Sequence, residues 1–502
     1  MTRQTGRRGA QGTGAEKKEH AMTSYPVLIG GEEVHGLPTF ADLDPSTGRE
    51  LAEVARGGPH EIDAAVEAAR DALERWRRTK PAERARILRR ISDIIRRDRD
   101  LLADLESRDT GKPLRQARAD ADICARYFEF YASAIETLYG DTIPLDSDLF
   151  VYTMREPYGV TGHIIPWNYP LQIGGRTVAP ALAAGNCCVL KPAEEAPLTA
   201  IQLGRIGLEA GLPPGAFNVV PGFGEEAGAA LAAHPGIDHL SFTGSVEVGK
   251  LVSKAAADNV TPVTLELGGK SPNVVFADAD LDAAMPVIVN SIIQNAGQTC
   301  SAGSRLLVQA PVHYRIVSEL VDRFQRVSLG PGPADPDMGP LISATQLERV
   351  SKYVEVGKTE ARAVTGGGAP DGDGLAGGYF FSPTVFDDVP PSAVIAREEI
   401  FGPVVAVTPF ADADEAAQLA NSTDYGLVAA VWTRTVSTAH LMAREIRAGQ
   451  VFVNTYGASG GPEMPFGGVK RSGHGREKGL EGLLEFTQIK TVAMKLDPGA
   501  GR

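Results

Sequence analysis

An α/β fold carrying two separate sheets is predicted by three features of the sequence. The chain is 502 residues long, short apolar runs alternate with helix-patterned stretches between Val160 and Gly269, and a second such stretch runs from about Lys270 to Phe466. Domains usually span about 100–200 residues, so a chain of this length is expected to divide into two or three. Strand and helix patterns in alternation mark βαβ units, which build a parallel sheet with helices on both faces.

The elements follow in chain order. Residues 1–21 hold eight Arg, Lys, Glu or His residues and no apolar stretch that could serve as a signal-peptide core, so a disordered tail is expected. Arg3, Arg7 and Arg8 hint at a transit peptide, but Glu16 and Glu19 intervene and no amphipathic repeat supports it; Met22 is an equally good start. From Ile62 to about Leu105 apolar positions recur at helical spacing with a break at Pro81, which predicts two amphipathic helices whose Arg runs face solvent. Strands are predicted at 162–165, 187–190, 217–220 and 239–242, with helices at 178–184, 200–210, 225–233 and 246–256 between them. In the second stretch, strands are predicted at 272–276, 305–308 and 450–454. Segments 147–153 and 486–495 read as isolated β segments, and an isolated strand needs a partner sheet, which a second subunit can supply. The Gly/Asp-rich segment 366–378 reads as a surface loop.

Composition narrows the function classes. A formal charge of −13 and a pI near 5.3 repel nucleic acid and anionic membranes. No apolar run approaches the roughly 20 residues that span a bilayer. Four cysteines, Cys124, Cys187, Cys188 and Cys300, are too few for a disulfide framework, and the adjacent pair is not spaced as a metal clip. A reducing cytoplasm is the expected compartment. The nine histidines show neither metal-ligand spacing nor a triad, so no metal is expected.

Several sequence features carry chemistry. Cys300 sits in Gln298-Thr299-Cys300-Ser301-Ala302-Gly303 and is preceded by a carboxylate in Leu265-Glu266-Leu267-Gly268-Gly269-Lys270, a thiol and a base for covalent acyl transfer. Taken alone, a cysteine such as Cys300 is more often a small buried hydrophobe than a nucleophile, and Glu266 reads as a helix-cap or ion-pair partner. Pro166-Trp167-Asn168-Tyr169-Pro170 offers an amide donor to an oxyanion. Phe242-Thr243-Gly244-Ser245 follows a strand and opens a helix, where free N–H groups and the helix dipole suit a pyrophosphate. The glycine cluster Gly222-Phe223-Gly224-Glu225-Glu226-Ala227-Gly228 also follows a strand, but such turns need glycine for their own geometry as often as for a ligand. Lys191-Pro192-Ala193-Glu194 ends another strand. A carboxylate there can accept from both ribose hydroxyls and repel a 2′-phosphate, which argues NAD over NADP; a surface ion pair is the alternative.

Together these motifs, with Glu398-Glu399-Ile400-Phe401-Gly402-Pro403 and Pro465-Phe466-Gly467-Gly468, resemble the NAD(P)-dependent aldehyde dehydrogenase superfamily, non-acylating branch, over about residues 25–495. The resemblance implies a Rossmann-like nucleotide-binding domain (22–139 and 159–268), an α/β catalytic domain (269–468) and a small β oligomerisation arm with the C-terminal tail (140–158 and 469–502), assembled as a dimer or tetramer. It implies Cys300, Glu266, Asn168 and Lys191 as the catalytic set. Cys300 attacks the aldehyde, Asn168 and the Cys300 N–H hold the alkoxide, and Glu266 activates water against the thioester. NAD is expected to lie against Ile164, Ile165, Pro166, Trp167, Lys191, Glu194, Gly224, Gly228, Phe242, Gly244, Ser245, Val248, Leu267, Gly268, Glu399 and Phe401. Substrate is expected at Tyr169, Arg176, Thr299, Ser301 and Phe466.

The aldehyde itself is left open. The segment from Gly457 to Met464, which follows Tyr456, reads as small side chains where many relatives place an aromatic, which predicts a roomier or more mobile entrance. Trp167, Tyr169 and Tyr456 alone make a poor cage for a quaternary ammonium, so betaine or amino aldehydes are disfavoured. Arg176 resembles the arginine of succinate-semialdehyde dehydrogenases and suits a carboxylate; a structural ion pair is the alternative. Two other chemistries compete: a CoA-acylating relative, which the Glu266-type base argues against, and a nucleotide-free hydrolase using Cys300, Glu266 and Lys270.

Overall fold

A computed structural model describes residues 24–370, 375–457 and 461–496. The expected N-terminal tail lies outside the described residues, as do the centre of the 366–378 loop and Ala458–Gly460 of the expected substrate entrance.

The larger sheet has eight strands. Its centre is parallel and runs in the order Val263–Glu266, His239–Thr243, Val160–Ile164, Cys187–Lys191, Phe217–Val219. Numbered in chain order, these five strands read 3-2-1-4-5 from the Phe217 side, the order of dinucleotide-binding sheets, with the reversal between Val160–Ile164 and His239–Thr243. Chains leaving the carboxyl ends of those two strands diverge to opposite faces and open a crevice there. Every residue of the four strands from Val160–Ile164 to His239–Thr243 is buried, as expected of strands covered on both faces. Burying each Val or Leu of this sheet contributes about 1.5–3 kcal/mol.

Three helices cover one region where two were expected: Pro59–Arg77, Pro81–Arg97 and Arg99–Thr110. Pro81 starts the second at its first turn, where its missing N–H costs nothing. The second break is unmarked by proline or glycine, because Asp98 ends one helix and precedes the next. A further helix, Leu114–Ala134, packs against them. The predicted helix at 225–233 is a π-turn over Gly224–Gly228 continued by a short α-helix, Ala229–Ala233.

The second sheet has seven strands, ordered Arg362–Thr365, Thr384–Asp387, Val404–Phe410, Arg305–Gln309, Pro272–Val275, Val428–Trp432 and Gln450–Val453. All neighbours are parallel except the first pair. It ends in the partly exposed edge strand Gln450–Val453.

One expectation is corrected. The β segments predicted as isolated are Leu149–Pro157 and Thr487–Lys495, and they pair with each other, antiparallel from Thr487↔Pro157 to Lys495↔Leu149, with Thr142–Ile143 as a third strand. Their sequence separation hid the pairing. The C-terminal region also returns to the large sheet before joining this arm: Gly473–His474 pairs with Val263–Glu266.

Candidate active site

Cys300 lies between the helix Leu281–Ile293 and the strand Arg305–Gln309, on a turn built from side-chain amides. Asn295 and Ala296 both adopt left-handed backbone angles, φ 48° and 54°. That conformation costs roughly 1–2 kcal/mol for an L-residue, so contacts must hold it. Asn295 Nδ2 donates to the Asn168 carbonyl at 3.0 Å, and Gln298 Nε2 donates to the Asn295 carbonyl at 3.1 Å. Gln298 Oε1 accepts from the Ile342 N–H at 2.9 Å. A side chain at Gly297 would fall 2.1 Å from the Gly402 carbonyl, so only glycine fits there.

Asn168 follows the strand Val160–Ile164. One hydrogen of its amide goes to the Gln298 carbonyl at 2.9 Å, leaving the second for another acceptor. Glu266 ends the strand Val263–Glu266 and is buried, and neither carboxylate oxygen has a hydrogen-bond partner among the described residues. Burial, reinforced by Glu477, raises its pKa well above the ordinary carboxylate range, against the pull of Arg176, Arg476 and Lys478. Burial likewise pushes the Cys300 thiol up to about 12; Arg176 and the Ser301 N–H act in the other direction, while Glu399 and Glu266 add to the rise.

Cys300 borders two cavities. The larger, about 720 Å³, is walled by Pro166, Trp167, Asn168, Gly244, Ser245, Gly268, Glu399 and Phe401, all expected from the sequence, and by Gln346, Arg349 and Tyr353, which were not. It lies at the strand-order reversal, with the amino end of the helix Val246–Ala257 opening into it. Ser245 Oγ caps that helix, accepting from the Val248 N–H at 3.2 Å. Glu399 accepts from the Gly269 N–H at 2.9 Å, and a Cβ at Gly268 would lie 2.2 Å from its Oε2. Phe401 sits at φ 61° with its ring edge-on to Trp167 at 5.3 Å, its carbonyl accepting from Gln346 Nε2 at 2.6 Å.

The remaining residues expected at the nucleotide do not line this cleft. Ile164, Ile165, Phe242 and Leu267 are buried; a Cβ at Gly244 would meet the Phe242 ring at 2.5 Å, and one at Gly249 would meet Leu267 at 2.6 Å. Val248 is exposed. Lys191, Glu194, Gly224 and Gly228 form a cluster of their own. Lys191 Nζ donates to Glu194 Oε2 at 2.9 Å, the Gly224 N–H donates to Glu194 Oε1 at 3.3 Å, and a Cβ at Gly228 would lie 3.9 Å from the Lys191 stem. Burial works against the Glu194 charge, but Lys191 and these hydrogen bonds hold its pKa below the ordinary value.

The smaller cavity, about 350 Å³, is lined by Tyr169, Arg176, Thr299, Ser301 and Phe466, the five residues expected at the substrate, together with Asp120, Gln172, Ile173, Phe452, Tyr456, Met464 and Lys478. Tyr169 and Thr299 share a hydroxyl–hydroxyl hydrogen bond of 2.8 Å. Of the two roles left open for Arg176, the structure shows the ion pair: its Nε lies 2.5 Å from Glu477 Oε2, both groups buried, with the guanidinium 5.1 Å over the Phe466 ring. Burial would weaken its charge, but Glu477 holds its pKa above the usual value. Lys478 Nζ also lies 5.2 Å from the centre of the Phe466 ring, and burial lowers its pKa to about 8. No local pattern announced Glu477 or Lys478, because they reach the site from the far end of the chain.

The arrangement is a thiol between two chambers, with an amide donor and a buried carboxyl beside it. The family model described as the aldehyde dehydrogenase family matches residues 33–492. The chain belongs to the aldehyde dehydrogenase family. It is 44% identical over 465 residues to the mitochondrial aldehyde dehydrogenase of Equus caballus, covering 91% of this chain and 92% of that one. A solved structure from Burkholderia cenocepacia shares 53% identity with a TM-score of 0.92, covering 94% of this chain and all of that one. The NAD+ complex of the aldehyde dehydrogenase from Bacillus cereus shares 43% identity with a TM-score of 0.92, over 94% of this chain and 97% of that one. An aldehyde dehydrogenase needs a chamber for each of its two reactants on either side of the reacting atom, and Cys300 is the residue that borders both.

Proposed function

We propose that the protein oxidises an aldehyde to a carboxylic acid with NAD+, using Cys300 as nucleophile and Glu266 as the base for deacylation. The observation that carries this reading is the position of Cys300 at the junction of the two cavities. The larger cavity fits a dinucleotide in size and donor set. Glycine at 244 and 268 keeps its walls open where a side chain would collide, a helix amino end faces in to meet phosphate, and Glu399 stands ready for ribose hydroxyls. The chemistry that bound NAD+ supplies from this cleft is hydride acceptance.

The chain's own residues do the rest. Cys300 Sγ bonds to the aldehyde carbon, and its proton passes to the Glu266 carboxylate and on to solvent. The tetrahedral oxygen takes the second Asn168 hydrogen and the Cys300 N–H. Loss of hydride leaves a thioester on Cys300. Glu266 then takes a proton from water, whose oxygen bonds to the acyl carbon; the C–S bond breaks and the acid leaves. Burial raises the pKa of Glu266 and so makes its carboxylate a stronger base than an exposed one, which is the use of burying it.

Glu194, charged and held by Lys191 and Gly224, favours NAD+ over NADP+. The Arg176 charge is matched by Glu477, which supports a small neutral aldehyde over an anionic semialdehyde. Edge strand Gln450–Val453 and the projecting arm, with Phe150, Met154 and Ile489 exposed, support assembly with further copies of the chain. Among the described residues no helix is long and apolar enough to cross a membrane, and all four cysteines are unpaired, which supports a reducing compartment such as the cytoplasm.

The test is Cys300→Ala. The variant is expected to lose both NADH formation from propionaldehyde and hydrolysis of p-nitrophenyl acetate, while NAD+ still quenches its fluorescence. Retained aldehyde oxidation would remove the nucleophile assignment, and a wild-type protein blind to millimolar NAD+ would favour the hydrolase.

A further inference from the structure

We infer that Lys112 is a positioning residue for the nucleophile, acting through the Tyr169 hydroxyl; this rests on the reading of Cys300 as nucleophile. Lys112 precedes the helix Leu114–Ala134 and its side chain is fully buried. Its Nζ donates to Glu106 Oε1 at 3.0 Å and to Asp120 Oδ2 at 2.6 Å. The same nitrogen lies 4.3 Å from the centre of the Tyr169 ring. Glu106 is fixed in turn, its second oxygen accepting from Thr199 Oγ1 at 2.6 Å and from the Leu171 N–H at 3.3 Å. The ammonium is therefore held in one place by groups from several helices.

Tyr169 is the last residue before the helix Pro170–Ala184 and directly follows Asn168. With its ring against the Lys112 cation, a contact that is strengthened away from water, its hydroxyl meets Thr299 Oγ1 at 2.8 Å. The Thr299 carbonyl accepts from the Ala302 N–H at 2.8 Å and so closes the turn around Cys300. Neutralising Glu106 and Asp120 accounts for the charge of Lys112. It does not account for the placement of that charge on the one ring whose hydroxyl grips the residue before the nucleophile. Small displacements of a reacting atom cost rate steeply.

The test compares kcat, KM for NAD+ and the rate at which iodoacetamide alkylates Cys300, followed by mass spectrometry on the full chain, with thermal midpoint as a check of folding. Tyr169→Phe keeps the ring under the cation and removes only the hydroxyl. It should slow both kcat and alkylation about tenfold with KM for NAD+ and thermal midpoint unchanged. Lys112→Met should slow them to a similar extent, and adding it to Tyr169→Phe should bring no further loss, because both act on one contact. If Lys112→Met does not fold, Lys112→Gln with Asp120→Asn removes the charge together with one of its two partners, and the same comparison applies. Wild-type alkylation in Tyr169→Phe, or losses that multiply in the combined variant, would overturn the inference. Aldehyde oxidation surviving in Cys300→Ala would instead overturn the nucleophile assignment on which it rests.

Discussion

At Glu194 two contacts fix a charge where the nucleotide ribose is expected, since Lys191 and the Gly224 N–H each take one carboxylate oxygen. A 2′-phosphate brought to this carboxylate would meet like charge in a half-buried setting. Glu194→Gln keeps the shape and removes the charge, so its kcat/KM for NADP+ should rise about tenfold relative to that for NAD+. An unchanged ratio would place the discrimination elsewhere. At this scale the sequence was informative where a residue's partners are local. The turn around Cys300 is a motif partly because Asn295 and Gln298 bond to each other across it, whereas its contacts with Asn168, Ile342 and Gly402 form only in the folded chain. Arg176 was ambiguous because its partner, Glu477, lies far along the chain and only the folded state joins them.

Among the elements, the central strands show what burial does to titration. His163 and His239 sit on adjacent buried strands, and burial lowers both pKa values to about 3, His239 adding to the shift of His163. His163 keeps hydrogen-bond contact with Thr161 and Thr177 as a neutral ring. In the unfolded chain each takes a proton below its ordinary pKa of about 6.5. Stability is therefore independent of these groups above that value and is lost as pH falls from about 6.5 toward 3, by about 2 kcal/mol for each at pH 5. His163→Gln should flatten the fall in thermal midpoint between pH 6.5 and 5; an identical slope would contradict the assignment. Strand positions were legible because fully buried parallel strands are continuous apolar runs. The pairing of Leu149–Pro157 with Thr487–Lys495 was not, since the sequence of a strand says nothing of its neighbour. The break at Asp98 was invisible because no helix-breaking residue marks it.

Across the whole molecule, the site is a seam. Asn168 and Glu266 come from the ends of the eight-stranded sheet, and Cys300 from a turn beside the seven-stranded one, so the proposed site draws on both sheets. The three-stranded arm projects apolar side chains that no described residue covers, Ile489 being 60% exposed. If it joins another copy, Ile489→Glu should shift the mass measured by light scattering toward the monomer; an unchanged mass would clear that face of the interface. Fold class and the residues of the seam were readable in advance, because each sheet and each motif is a local pattern. Which polar groups neutralise one another across the seam was not. The central claim, that Cys300 is acylated and Glu266 frees it, is tested most directly by rapid-mixing absorbance of NADH in Glu266→Gln. A burst of about one NADH per active site is expected, followed by turnover at least about a hundredfold slower than wild type. Wild-type steady-state turnover with no burst would contradict it.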